Sequence, residues 1–140
     1  MKKTLSILLA FFISNLAYAN CQQAEPVAEK FLNDYVKVTN SETWLMRHTK
    51  LTKNFKNAYK KLLTDAKREN PDMGLDFDPI FNAQDYPEQG FNVSSCDEKT
   101  NIVTLSGKQT DWQNFQVKIK VLNTPKGWLI DGAGVINMPQ

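Results

Sequence analysis

The chain has 140 residues, with 17 Lys and Arg against 15 Asp and Glu. Two of the basic residues, Lys2 and Lys3, stand at the extreme N-terminus; without them the balance is 15 against 15. A neutral body excludes a polyanion partner such as nucleic acid, which needs a surplus of cations, and the length suits one domain with one core.

The first residues read as an export signal. Lys2 and Lys3 precede a mostly apolar run, Leu5 to Leu16, too short to span a bilayer. Ala17-Tyr18-Ala19 has the form of a cleavage site. The expectation is a signal peptide over residues 1–19, cleaved after Ala19, and one periplasmic domain over residues 20–140. Cys21 invites a lipid-anchor reading, but Asn20 stands where lipid attachment wants a small residue. No second long apolar run occurs, which predicts no transmembrane segment in the mature chain. Cys21 and Cys96 are an even pair in an oxidising compartment, which predicts one disulfide. It would tie the start of the mature chain to the first strand.

Glu25 to Thr39 reads as a first helix. Pro26 suits its first turn, and Val27, Ala28, Phe31, Leu32, Tyr35 and Val38 form one apolar stripe. Asn40-Ser41 breaks it. Ser41 can cap a short second helix to His48, with Trp44, Leu45 and Met46 facing in. Thr52 caps a third helix, Lys53 to Glu69, whose stripe is Phe55, Tyr59, Leu62, Leu63 and Ala66. Its other face carries Lys53, Lys56, Lys60, Lys61 and Lys67, which reads as a solvated face.

Pro71 to Gly90 is irregular, with Leu75, Phe77, Ile80 and Phe81 as apolar anchors. Loops of this length in small domains are often functional. A short helical turn over Pro79 to Ala83 is expected within it. Strands follow at Phe91 to Ser95 and at Ile102 to Gly107, with a turn at Thr110 to Gln113 that puts Trp112 at its tip. Phe115, Val117, Ile119 and Val121 alternate with Gln116, Lys118 and Lys120, the period-two pattern of a strand with one dry face. A turn over Asn123 to Gly127 leads to a return strand from Trp128 to Ile130. Short polar turns imply an antiparallel meander. Helices first and strands last give α+β: N-terminal helices packed on a curved four-stranded antiparallel sheet.

This order, with Leu51-Thr52, Phe55, Tyr59, Asp78-Pro79, Ala83-Gln84-Asp85 and Gly127-Trp128-Leu129-Ile130-Asp131, resembles the NTF2-like (cystatin-like α+β) superfamily. It is similar in particular to small exported bacterial proteins of that superfamily, often lipoproteins. The resemblance implies a cone-shaped sheet, a cavity lined by Phe31, Tyr35, Tyr59, Phe77 and Phe81, and Gln84-Asp85 near its mouth. The superfamily hosts enzymes, small-molecule binders and protein-interaction modules, so fold does not choose function.

Chemistry-bearing residues are sparse. Asp76, Asp78 and Asp85 lie in the irregular loop, but Asp78 is followed by Pro79-Ile80-Phe81 and not by further oxygen ligands, so the spacing is wrong for calcium. They read as turn caps, or as the wall of a polar pocket. Gln84-Asp85, followed by Tyr86, is a polar segment flanked by an aromatic, suited to contacting a ligand or to ordering its own loop. His48 is the single histidine, between Arg47 and Lys50, with no nucleophile marked beside it. One His and two paired Cys cannot supply a zinc site, so no metal and no cofactor is expected. Trp112 is either an interface anchor or folds back over the sheet edge. Gly132-Ala133-Gly134 reads as a bulge, a bend or an interaction edge. These residues point to a non-enzymatic periplasmic module that binds another envelope protein, as an inhibitor or immunity protein does. Trp112, the Asp76 to Tyr86 loop and Gly132-Ala133-Gly134 would form its surface. The alternatives are a small-ligand binder using the cone cavity, with Tyr35 and Tyr59 in its wall, and an enzyme with Asp78 or Asp85 as base.

Overall fold

The computed structural model describes residues 19–139. The expected export signal lies almost wholly outside these residues. Three helices come first: α1 (Ala19–Tyr35), α2 (Ser41–Arg47) and α3 (Lys53–Glu69). Four strands follow: β1 (Phe91–Asp97), β2 (Ile102–Gly107), β3 (Gln116–Thr124) and β4 (Gly127–Ala133), with a single 3-10 turn at Thr110–Trp112. The sheet order is β1-β2-β3-β4, antiparallel throughout. The α+β class and the antiparallel meander are therefore as expected. Among the described residues no helix is long and apolar enough to cross a membrane.

The helix α1 begins six residues before the expected start and ends four before the expected stop. Its buried positions are Cys21, Ala24, Ala28, Phe31, Leu32 and Tyr35, so the stripe that holds it to the sheet starts upstream of Pro26. Pro26 lies inside the helix, on the exposed side, where water can satisfy the carbonyl that lacks a donor. After Tyr35 the chain tightens: Lys37 N–H donates to the Asp34 carbonyl and Val38 N–H to the Tyr35 carbonyl. The β-branched Val36, Val38 and Thr39 disfavour further helix. The cap of α2 is Asn40 and not Ser41; its side chain accepts from Thr43 N–H at 3.0 Å. α3 has the expected bounds, with Thr52 accepting from Phe55 N–H at 3.1 Å.

α1 crosses all four strands and is the main cover of the dry face. Beneath it lie Phe91, Val103, Leu105, Val117, Ile119, Val121 and Ile130, all buried. Two bulges set the side-chain parity. In β1, Val93 pairs with Leu105 and Ser95 with Thr104, leaving Ser94 as the extra residue. That insertion turns Cys96 to the helix side, where it bonds Cys21. In β4, Gly132 pairs with Lys120 and Ile130 with Val121, leaving Asp131 as the extra residue.

Neither edge of the sheet is bare along its length. At β4, Ile130 N–H donates to the Lys50 carbonyl (2.8 Å) and Thr52 N–H to the Ile130 carbonyl (2.9 Å), so the α2–α3 linker adds a short parallel bridge. At β1, the Asn33 side chain on α1 donates to the Phe91 carbonyl (3.0 Å) and accepts from Phe91 N–H (2.8 Å). The 70–90 segment has no helical turn at Pro79 to Ala83. Asp78 and Ala83 exchange both backbone hydrogen bonds and close a tight loop, with Asn82 at positive φ. Pro79, Ile80 and Phe81 plug the core from that loop.

Candidate functional site

An aromatic ladder leads from the core to the surface. Tyr35 packs on Phe81 (ring centroids 5.4 Å apart), and Phe81 stacks on both Tyr86 (4.1 Å) and Phe91 (5.8 Å). Phe91 meets Phe115 (6.1 Å), and Trp112 stands edge-on to Phe115 at 5.4 Å. The indole can fold down because residue 107 is glycine: a Cβ there would lie 2.6 Å from the Trp112 Cβ. Trp112 thus packs over the sheet end, half-buried, and still presents surface.

That surface is one wall of a cleft of about 580 Å3, lined also by Gln84, Asp85, Tyr86, Glu88, Gln89 and Gln109. Of the residues singled out in the sequence, Trp112, Gln84, Asp85 and Tyr86 come together here. Glu88, Gln89 and Gln109 are not singled out by the sequence, since exposed Glu and Gln carry no pattern of their own; their closeness to Tyr86 and Trp112 is the one signal. Asp76 is exposed and does not line the cleft, but its carbonyl accepts from the Gln84 amide at 3.2 Å and steadies the loop. The cleft walls are polar, with Asp85 and Glu88 as the charges, and two aromatic rings, Tyr86 packed against the core and Trp112 resting on Phe115.

Asp78 is elsewhere and fully engaged. Its Oδ1 accepts from Ile80 N–H (2.8 Å) and Phe81 N–H (3.1 Å), and its Oδ2 from the Tyr35 hydroxyl (2.8 Å). Burial raises its pKa, against the three donors, which lower it. Burial first, and the Asp78 charge second, hold the Tyr35 phenol far above its ordinary value, so it remains a donor. Tyr59 is raised too, by burial ahead of Glu42. Tyr35 and Tyr59 are buried members of the hydrophobic core together with Phe31 and Phe81.

His48 packs on Trp44 (4.4 Å) and edge-on to Phe31 (5.7 Å). Its pKa is lowered by burial and then by Lys56. Glu25 lies beside Cys21 and Cys96, but both sulfurs are committed to their mutual bond. On α3, Lys56 Nζ donates to the Met46 carbonyl and Lys61 pairs with Asp65, so the lysine face is partly used within the chain. Gly132-Ala133-Gly134 is no free edge: a Cβ at Gly132 would meet the Asn137 carbonyl at 2.6 Å, and one at Gly134 the Pro79 carbonyl at 2.2 Å. The residues that follow β4 and the 78–83 loop cover it.

No family model, no curated protein and no solved structure matches this chain.

Proposed function

We propose that this protein is a non-enzymatic binding module of the periplasm that recognises another envelope protein through the Trp112 cleft, in an inhibitor or immunity-type role. The observation that carries this reading is the meeting of Gln84, Asp85, Tyr86, Glu88 and Gln89 with Gln109 and Trp112 around one cleft. Aromatic rings already packed on a neighbour, as Tyr86 is on Phe81 and Trp112 on Phe115, lose little freedom on binding, and such rings dominate interface energetics. Asp85 and Glu88 favour a partner that presents a basic side chain to the rings, where cation–π contact adds to charge pairing. The disulfide fits an oxidising compartment, and an export signal cleaved after Ala19 would deliver the chain there. The NTF2-like cone is the fold we infer for the curved sheet.

The catalytic alternative gains little support. Asp78 is occupied by three donors of its own chain, and Asp85 is exposed to solvent. A ligand in the cone cavity is disfavoured by the packing of Phe31, Tyr35, Tyr59 and Phe81 into the core. Affinity capture from an envelope extract tests the proposal. A stoichiometric partner should be recovered by the native protein and lost at least tenfold with Trp112→Ala, the size of a hot-spot truncation. Equal recovery by Trp112→Ala and by Asp85→Lys would remove the cleft from the interface.

A further inference from the structure

A second cleft, of about 330 Å3, lies between α1, the His48–Lys50 segment and β4. Phe31 and Ile130 are its floor, at 2% and 0% exposure. Val27 and Trp128, both half-buried, are its walls, and the Trp128 indole is held by donating to Gln23 Oε1 at 2.7 Å. The remaining lining is polar: Lys30, Asp34, His48 and Lys50. Lys30 and Asp34 neutralise one another across 2.8 Å. Lys50 has no ion-pair partner among the described residues. His48 Nδ1 accepts from Lys50 N–H at 3.1 Å, which puts the proton of the neutral ring on Nε2. The charged groups around the ring are Lys56, Lys30, Lys50 and Asp34. An apolar trough thus carries one uncompensated cation, and its acidic group is already paired.

We propose that this cleft binds a free medium-chain carboxylic acid, with its hydrocarbon tail on Phe31, Ile130, Val27 and Trp128 and its carboxylate paired with Lys50. A neutral lipid would gain no charge pair with Lys50, and a sugar or phosphate would leave the apolar floor wet. The volume is at the small end of ligand sites, which run from about 300 to 1,000 Å3, and so suits a chain of roughly ten carbons. This site shares no residue with the Trp112 cleft, and neither reading depends on the other.

Calorimetric titration with decanoate below its aggregation concentration, with decanol and decylamine as head-group controls, decides the matter. Decanoate should bind one to one, with decanol weaker by about tenfold and decylamine weaker still, as expected for a hydrogen-bonded charge pair. Lys50→Gln changes an exposed side chain, so the fold is kept; it should weaken decanoate about tenfold and leave decanol unchanged. Val27→Trp fills the trough and should abolish both. Equal binding of decanoate and decanol, no effect of Lys50→Gln, or no binding of decanoate to the native protein would each overturn the proposal.

Discussion

Asp78 closes a turn with one oxygen and reaches α1 through Tyr35 with the other. Because burial raises its pKa, the native state keeps the proton to higher pH than the unfolded chain does. With fewer protons bound in the unfolded state, stability falls as pH rises from about 4 through the native pKa, then levels off. Asp78→Asn cannot ionise. Its carbonyl still accepts from both amides, and its NH2 donates to the Tyr35 oxygen in place of accepting from it. This variant should match or exceed the native protein in stability at pH 7, with the difference shrinking toward pH 4. Asp78→Ala leaves the amides and the phenol unpaired and should cost about 1–3 kcal/mol. Urea unfolding at pH 4, 5.5 and 7 checks both variants. A loss at pH 7 as large for Asn as for Ala would mean that the charge itself is required.

At the scale of elements, the β4 bulge turns Asp131 toward α3 and β3. Its side chain is 4% exposed, accepts from the Thr52 hydroxyl at 2.7 Å, and pairs with Lys120 Nζ at 3.0 Å. The cap of α3 and two strands therefore share one carboxylate. Removing either partner of the pair has unequal consequences. Lys120→Ala strands a buried charge and should cost about 3 kcal/mol, whereas Asp131→Asn keeps the Thr52 bond and frees a lysine that can reach water, costing about 1 kcal/mol. Chemical denaturation of the two variants at pH 7 measures this, and equal losses would contradict it. The same elements show what a linear pattern conveys. α3 was legible to the residue because Thr52 and the period from Phe55 are local signals. The start of α1 is not legible, because Pro26 suits a first turn whereas burial of Cys21 and Ala24 continues the helix past it. Neither bulge was legible, since the extra residue is defined by the partner strand. Trp112 and Gln84 to Tyr86 stood out one at a time. Their meeting depends on Gly107 and on the Asp78–Ala83 closure, which join positions distant in sequence.

For the whole molecule, the question is how one long helix keeps its station over four strands. α1 runs antiparallel to β1 and is fastened at two points, Cys21 to Cys96 and Asn33 to Phe91. From Cys21 to Asn33 the helix rises about 18 Å, and from Phe91 to Cys96 an extended strand covers about 16 Å, so the two spans match. Gly90 makes the second fastening possible: a Cβ there would lie 2.4 Å from Asn33 Oδ1. The disulfide closes a loop of sequence separation 75, for which the chain-entropy model gives about 4.5 kcal/mol. Domains of this size have about 5–15 kcal/mol in total, so the Cys21→Ser/Cys96→Ser chain should fold with about a third or more of its margin gone. The Asn33 fastening and the buried stripe from Ala28 to Tyr35 stay in place, so the damage should be graded along α1. Hydrogen exchange should quicken most at residues 21–27, less near Asn33, and on β2 and β3 only by the global loss of stability. Uniform acceleration across α1 would show that the sulfur bridge alone holds the helix down, and that the Asn33 bonds form only in its presence.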